Sequence, residues 1–185
     1  MLGSTELRKG TVIELNNKLY QVMDYKHIKM KRTALVRLKL RDIVGSHTIE
    51  QTFQSDDKFV RARLDYRSMQ YLYRDGDLYY FMDEESFEQM PLNSSQLGDA
   101  VNYMKEGMSL ELSSYKDKVI GVELPITVEL EVSNTEPGFK GNTATAGTKP
   151  AKLETGINIQ VPLFVNKGDI IKVDTRTGNY LERVS

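Results

Sequence analysis

The 185-residue sequence contains no cysteine and no tryptophan, and it has only two histidines, His27 and His47. Without cysteine the chain can form neither disulfides nor thiolate metal sites, so we expect it to work in a reducing cytoplasm. Two histidines exclude a His-rich metal centre. No apolar run approaches the roughly 20 residues of a bilayer-spanning helix, and residues 1–6 lack the apolar core of a signal peptide. We therefore expect no membrane partner.

The sequence motifs of common enzyme classes are also missing. No glycine-rich phosphate loop followed by Lys-Ser or Lys-Thr occurs, and the sequence has neither a nucleophile elbow nor an HExxH pattern. The acidic residues between 83 and 88 could form a metal site, but a second ligand cluster is absent and a solvated turn is the better interpretation. The sequence predicts that the protein is not an enzyme and carries no metal or cofactor.

Charge is distributed unevenly along the chain, although the net formal charge is only −1. Residues 1–65 contain 13 Lys or Arg and 8 Asp or Glu, whereas residues 66–128 contain 5 and 11. Residues 129–185 are balanced, with 7 of each sign. A basic first third beside an acidic middle third indicates that the first third meets nucleic acid.

Short alternating segments between turn residues dominate the chain and predict an all-β fold. In the first third, strands at 11–15 and 18–23 flank an Asn16-Asn17 hairpin turn. A later strand at 59–65 is predicted to direct Val60, Ala62 and Leu64 inward. Five short strands within one third favour a small barrel, because closure removes exposed edges.

The middle third starts with a hairpin whose turn is predicted at Asp75-Gly76, followed by a short helix capped by Ser94 or Ser95. Its paired tyrosines are predicted to pack across the hairpin core rather than to stack on bases; they are Tyr71, Tyr73, Tyr79 and Tyr80. The last third again contains short strands. The sequence thus predicts three β-barrels in a row, at 1–65, 66–128 and 129–185.

Residues 26–41 carry seven Lys or Arg and no acidic residue. We interpret 26–32 as a cationic loop and 33–41 as a half-buried strand. The apolar and basic faces of that strand alternate as Val36, Arg37, Leu38, Lys39, Leu40 and Arg41. The segment is either a projection that binds phosphates or a solvated basic face, and charge alone leaves both interpretations open.

The most specific segment of the sequence is 149–168. It contains Lys149, Ala151, Gly156, Ile159, Val161, Pro162, Val165 and Gly168. At this spacing the segment resembles the signature of the bacterial elongation factor P family. Residues 169–180, 72–76 and 87–89 are also similar to that family, so the resemblance covers essentially the whole chain.

The resemblance implies a fold and a function. The expected fold is an SH3-like, KOW-type N-terminal domain followed by two OB-fold domains, arranged in an L. The expected function is a translation elongation factor that binds the ribosome between the peptidyl and exit tRNA sites. It would position the CCA end of the peptidyl-tRNA, stimulate peptide bond formation and relieve stalling at consecutive prolines. The expected partners are both ribosomal subunits and peptidyl-tRNA, and the protein would be a cytoplasmic monomer.

The resemblance also assigns roles to residues. Lys31 would be the tip residue near the CCA end and the target of a Lys-modifying enzyme. Its neighbours on the basic segment would contact phosphates or RNA, namely Lys26, His27, Lys29 and Arg32. A loop near the tRNA and the exit site would use Lys140, Gly141, Asn142 and Thr143. Tyr180 and Arg183 would contact the small subunit or tRNA.

Two departures from the family pattern stand out. The tip reads Lys29-Met30-Lys31-Arg32 where the family commonly has Pro-Gly-Lys-Gly, so the turn lacks the residue types that adopt positive φ most easily. Asn142 stands where the family has Asp, which removes a charge. Two alternatives therefore stay open: a divergent paralogue of the family, and a general RNA-binding OB-fold protein.

Overall fold

The computed structural model of the chain describes residues 1–29, 34–138 and 147–185. Within these ranges strands predominate, which confirms the all-β prediction. The strands form three sheets, each drawn from one continuous stretch of sequence. The three-domain division with boundaries at 65 and 128 stays a prediction.

The first sheet has six strands in the order β1-β6-β2-β3-β4-β5. They are β1 Leu2–Gly3, β2 Val12–Leu15, β3 Lys18–Lys29, β4 Ala34–Asp42, β5 Thr48–Gln54 and β6 Lys58–Arg61. A 3-10 helix, Ser4–Glu6, follows β1. Asn16 and Asn17 form the predicted two-residue turn between β2 and β3, both with positive φ.

The second sheet has five strands in the order β11-β10-β7-β8-β9. They are β7 Asp65–Asp75, β8 Leu78–Asp83, β9 Gln89–Asn93, β10 Ser109–Tyr115 and β11 Lys118–Glu123. Asp75 pairs with Leu78, so the turn between β7 and β8 is Gly76-Asp77, one residue later than predicted.

The helix α1, Ser94–Leu97, precedes a 3-10 helix at Gly98–Asn102. Its cap is Asn93, not Ser94 or Ser95 as predicted. The Gln96 backbone N–H donates to the Asn93 side chain, and the Asn93 backbone N–H donates to the Gln96 side chain, both at 3.0 Å. This reciprocal pair satisfies two N–H groups that the helix itself leaves unpaired.

The third sheet has five strands in the order β14-β13-β12-β15-β16. They are β12 Thr127–Thr135, β13 Thr148–Leu153, β14 Asn158–Pro162, β15 Ile170–Asp174 and β16 Tyr180–Arg183. Sequence reasoning missed β13, which follows the predicted loop that contains residues 140–143.

The chain forms two compact units, one of residues 1–66 and 113–121 and the other of residues 67–112 and 122–185. The core of the first unit includes Ile13, Val22, Val36, Leu38 and Leu40, all with no exposed surface. One core cluster of the second unit is built largely from the inner faces of β12, β13, β14 and β15, and β7 and β8 bury Met69, Tyr71, Tyr79 and Phe81. In each unit, alternation along the strands places apolar side chains on one face of the sheet.

Two details of the predicted first and second sheets are wrong. Val60 is 43% exposed whereas Phe59 is buried, so the prediction that Val60 points inward is wrong, while Ala62 is buried as predicted. Of the four tyrosines, Tyr71 and Tyr79 are buried as predicted. Tyr73 and Tyr80 instead stack on the outer face, with ring centroids 4.7 Å apart.

Candidate nucleic-acid interface

We define the distal part of the β3–β4 hairpin, residues 25–29 and 34–38, as the arm; Val36 and Leu38 belong to the core of the first unit, and the face that carries Lys26 and Arg37 is exposed. The last described pair of the arm is Lys29 opposite Ala34. Residues 26–29 therefore lie in a strand, and the prediction of a loop across this segment is wrong. Backbone pairing to β4 continues through the basic residues, because charged side chains on an outer face do not disturb a ladder of backbone hydrogen bonds.

A β-bulge in β3 sets the faces of this arm. The register with β4 shifts between Val22 and Asp24, so Met23 is the extra residue on β3. Val22 lies opposite the buried Leu40, whereas Asp24 lies opposite the exposed Lys39. The bulge thereby moves the inward-facing positions from even to odd numbers and directs Lys26 to the outer face.

The outer face of the arm concentrates positive charge. Lys26 lies directly opposite Arg37, and the side chains of both are exposed. Among the described residues, neither has an ion-pair partner within 4 Å. Like charges directly opposite each other destabilise a sheet, so the stability of the fold does not explain this pair. Binding of an anionic partner would explain it.

His27 and Lys29 are exposed too, but they lie opposite Val36 and Ala34 and therefore on the other face of the arm from Lys26. The His27 ring makes an edge contact with the Tyr25 ring, with centroids 5.8 Å apart. Lys31 and Arg32, the predicted tip residues, lie outside the described residues. The structure thus places Lys26, His27 and Lys29 on one arm, with Lys26 on the opposite face from the other two, and the roles assigned to all five residues stay predictions.

The predicted loop residues Lys140, Gly141, Asn142 and Thr143 also lie outside the described residues. The structure does describe both flanks of that loop. Lys149 is buried, and its Nζ donates to the carbonyl oxygen of Glu136 at 2.7 Å. This bond joins the start of β13 to the chain that leaves β12, and so it ties the two flanks together.

Leu163 contacts both flanks as well. Its backbone N–H donates to the carbonyl oxygen of Gly147 at 3.2 Å. Gly138 approaches the same residue so closely that a Cβ at position 138 would lie 2.4 Å from the Leu163 carbonyl oxygen. Sequence reasoning assigned no role to Gly138, Leu163 or the Lys149 amine, although Lys149 belongs to the family-like segment.

Tyr180 and Arg183 both lie on β16. Tyr180 is partly buried and packs against the core of the second unit. The Arg183 guanidinium lies 3.5 Å from the Asp169 carboxylate and 5.5 Å from the centre of the Phe164 ring. Phe164 is itself 57% exposed and was not predicted as a site residue. Arg183 is therefore held in place by two neighbours while half of its side chain stays accessible.

The acidic turn after β8 has a structural explanation. The Asp83 carboxylate accepts backbone N–H groups from Glu85 at 2.8 Å and Ser86 at 3.0 Å. Both bonds lower the pKa of Asp83, and the bond from Ser86 has the largest effect; burial of the carboxylate acts in the opposite direction but is weaker. In the described part of the chain, no group of three or more His, Asp or Glu residues is arranged to hold a metal ion.

No helix within the described ranges is long and apolar enough to cross a membrane.

Three family models match the chain in succession. The model described as elongation factor P (EF-P) KOW-like domain matches residues 4–59. The elongation factor P (EF-P) OB domain matches residues 64–122, and the elongation factor P C-terminal model matches residues 128–183. These matches confirm the predicted KOW-like and OB-type folds.

Curated proteins named elongation factor P are similar along their whole length. The protein from Acetivibrio thermocellus is 53% identical over 185 residues, which is all of this chain and all of that protein. The relatives from Thermoanaerobacter sp. and Ruminiclostridium cellulolyticum are 51% and 50% identical, again with complete coverage of both chains.

Two solved structures share the fold at low sequence identity. Eukaryotic translation initiation factor 5A from Methanococcus jannaschii superposes with a TM-score of 0.53 at 18% identity, covering 64% of this chain and 88% of that one. A translation initiation factor eif-5a family protein from Naegleria fowleri gives 0.54 at 13% identity, covering 66% and 96%.

Proposed function

The chain belongs to the elongation factor P family, and from this premise we propose that it binds the ribosome between the peptidyl and exit tRNA sites. Family membership makes it a translation elongation factor and not an enzyme. In the proposed function it stimulates peptide bond formation and relieves stalling at consecutive prolines. It acts as a monomer in the cytoplasm, with both ribosomal subunits and peptidyl-tRNA as partners.

The observation that carries this proposal is the exposed cationic arm. Lys26 and Arg37 lie opposite each other without an acidic partner among the described residues, which suits a surface that binds RNA phosphates. Lys26, His27, Lys29 and Arg32 would bind phosphates along this arm. Lys31 would lie nearest the CCA end. In the modified form of the protein, a Lys-modifying enzyme would have extended the Lys31 side chain.

The proposed mechanism is one of positioning. A peptidyl-tRNA that ends in proline is placed badly for reaction, and holding its CCA end in a reactive pose reduces the entropy lost at the transition state. The protein itself supplies no acid, base or nucleophile, and the ribosomal RNA performs the chemistry. Residues 140–143 would contact the tRNA near the exit site, and Tyr180 and Arg183 would contact the small subunit or tRNA.

Translation of a reporter with three consecutive prolines tests the assignment of Lys31. Lys31→Ala should bind ribosomes at normal occupancy and fail to relieve stalling, whereas Lys18→Ala, at an exposed position near the Asn16-Asn17 turn, should behave as the unaltered protein. Full relief of stalling by Lys31→Ala at normal occupancy would refute the role of Lys31. Intact-protein mass from the native host would show whether Lys31 is modified.

A salt series separates this function from general RNA binding. The proposed function predicts weak binding to free RNA and tight binding to ribosomes that carry peptidyl-tRNA. A general RNA-binding protein would bind free RNA tightly and with a steep dependence on salt. Filter binding to both targets, over the same range of salt, would distinguish the two.

A further inference from the structure

A second cationic feature of the first unit lies at the barrel end of the β3–β4 hairpin. It is a surface cleft of about 510 Å³. One side is formed by Lys9, Met23 and Asp24, and the other by Lys39 and Arg41 of β4 together with Ser46 and Thr48. None of these residues was assigned a role in the arm or the loop described above.

The bulge in β3 builds the first side of the cleft. It leaves the Met23 side chain 40% exposed, as an apolar surface beside charged groups. The Asp24 carboxylate lies 3.0 Å from the Lys9 Nζ, and this hydrogen bond with Lys9 is the main cause of the lowered pKa of Asp24. Asp24, the one acidic residue among the described residues that line the cleft, is therefore already paired.

The cations of β4 form the opposite side and have no such partner. Among the described residues, neither Lys39 nor Arg41 has a carboxylate within 4 Å. Lys39 lies opposite Asp24 on β3 and Glu50 on β5, with neither carboxylate within 4 Å, and after the Lys9 hydrogen bond its charge also lowers the pKa of Asp24. Arg41 lies opposite the uncharged Thr48. Three cations and one carboxylate leave the cleft with an excess of positive charge.

The turn between β4 and β5 adds two hydroxyl groups. The buried Asp42 builds this turn by accepting the backbone N–H groups of Val44 at 2.9 Å and Gly45 at 2.8 Å. Ser46 takes up a left-handed conformation with φ of 57°, which directs the chain back toward Thr48. Across the described ranges, neither the Ser46 nor the Thr48 hydroxyl has a hydrogen-bond partner in the protein.

We propose that this cleft is a phosphate site for an RNA strand, with Lys39 and Arg41 pairing to phosphate oxygens and Ser46 and Thr48 donating hydroxyl hydrogen bonds. The proposal rests on the proposed function, because it assumes that the RNA belongs to the tRNA-bearing ribosome. Free cations and unpaired hydroxyls are the groups that bind nucleic-acid backbones without reading sequence.

An RNA strand is favoured over a free phosphate ion because the cations continue as a row. Arg37, Lys39 and Arg41 point to the same outer face of β4 and are two residues apart. Two residues along a strand span about 6.7 Å, which is similar to the separation of neighbouring phosphates in a nucleic-acid strand. A free phosphate ion bound in the cleft would make no contact with Arg37.

The salt dependence of ribosome binding tests the proposal. Lys39→Gln/Arg41→Gln removes the two cations, and Lys58→Gln/Arg61→Gln is a control with the same change of charge on exposed residues of β6. Each lost phosphate contact lowers the slope of log K against log salt by about 0.7 to 0.9. We expect the first pair, which removes two contacts, to lower the slope by roughly 1.4 to 1.8 and the control to leave it unchanged. Thermal unfolding by circular dichroism checks that both variants fold.

Crosslinking identifies the partner directly, because the chain lacks cysteine and any introduced thiol is labelled uniquely. An aryl azide attached to Ser46→Cys should crosslink to ribosomal RNA or tRNA, and the same label on Lys58→Cys should not. Crosslinking of Ser46→Cys to ribosomal protein alone, or to nothing, overturns the proposal. Saturable chemical-shift changes at Lys39 and Arg41 with inorganic phosphate, without an RNA crosslink, would indicate a free-anion site instead.

Failure of this inference can be told apart from failure of the proposed function. If the unaltered protein does not bind tRNA-bearing ribosomes, the proposed function fails and the inference fails with it. If the unaltered protein binds and relieves stalling, but the Lys39/Arg41 variant matches the control in slope, only the cleft is refuted.

Discussion

Replacement of Gly138 by alanine tests how the two described segments that flank residues 139–146 are held. The added Cβ would lie 2.4 Å from the Leu163 carbonyl oxygen and 3.2 Å from the Leu163 carbonyl carbon and Cβ. Ordinary contacts begin near 3.4 Å, so the backbone must separate by about 1 Å. The obstructing atoms include main-chain atoms, and no rotamer change removes the overlap. We expect a loss of about 1–3 kcal/mol, typical of overpacking at a closely packed position.

Thermal unfolding of Gly138→Ala measures this loss. For a chain of this size each kcal/mol corresponds to a change in Tm of roughly 2–4 °C, so we expect a fall of about 2–12 °C in the transition of the second unit. Gly121→Ala, in the first unit, is a control for the substitution itself, because its Cβ would meet only the Ser113 Oγ, at an ordinary 3.6 Å. The free energy of unfolding of Gly121→Ala should not fall, and we expect it to rise by up to about 0.4–1 kcal/mol because alanine restricts the unfolded chain.

The outcome also bears on function through the loop flanks. If Gly138→Ala melts at the same temperature as the unaltered protein, the close approach of Gly138 to Leu163 does not exist in solution and the reasoning is refuted. If Gly138→Ala is less stable, the proposed function adds a second expectation. Displaced flanks should weaken relief of proline stalling, even at temperatures where the variant is fully folded.

Three further predictions concern stability. Leu38→Ala, in the fully buried core of the first unit, should lower the free energy of unfolding by about 2–5 kcal/mol in denaturant titrations. Asn93→Ala removes the cap of α1 and should reduce stability by about 0.5–2 kcal/mol, with little change expected for Ser95→Ala. The Arg176 side chain, chiefly by hydrogen bonding, lowers the pKa of Asp174 to about 2, below the 3.9 of an unfolded Asp. Its stabilisation is therefore complete above about pH 4 and lost as the pH falls toward 2. Asp174→Asn should flatten the melting profile over that interval, and an unchanged acid profile would contradict the assignment.

The sequence allowed β4 to be predicted well and β3 poorly, for one physical reason. Along β4 the period-2 pattern is unbroken, and Val36, Leu38 and Leu40 are buried as predicted. Along β3 the bulge at Met23 changes the phase of the pattern, so a search for strict alternation ends the strand there. The ladder in fact continues to Lys29. A bulge depends on pairing with the neighbouring strand, which a single segment does not reveal.

The tyrosine hairpin shows the same limit. The register shift between Tyr71 and Tyr73 places these two residues on opposite faces of the second sheet, although their spacing predicts a shared face. Tyr71 joins the core and Tyr73 stacks on Tyr80 outside it. At the candidate site, residue types predicted the cationic surface. The contacts of Gly138 and Lys149 became visible only when distant segments were brought together.

The bulge at Met23 also constrains how sequences of this family can change length. In the part of β3 beyond the bulge, each side chain stays on the same face of the sheet only if the number of residues between it and Met23 does not change. A one-residue deletion between 24 and 28 would turn Lys29 toward the opposite side, unless the bulge were erased at the same time. Length variation among relatives should therefore collect at the bulge or at the hairpin tip, and the intervening segment should keep a constant length even where its side chains differ.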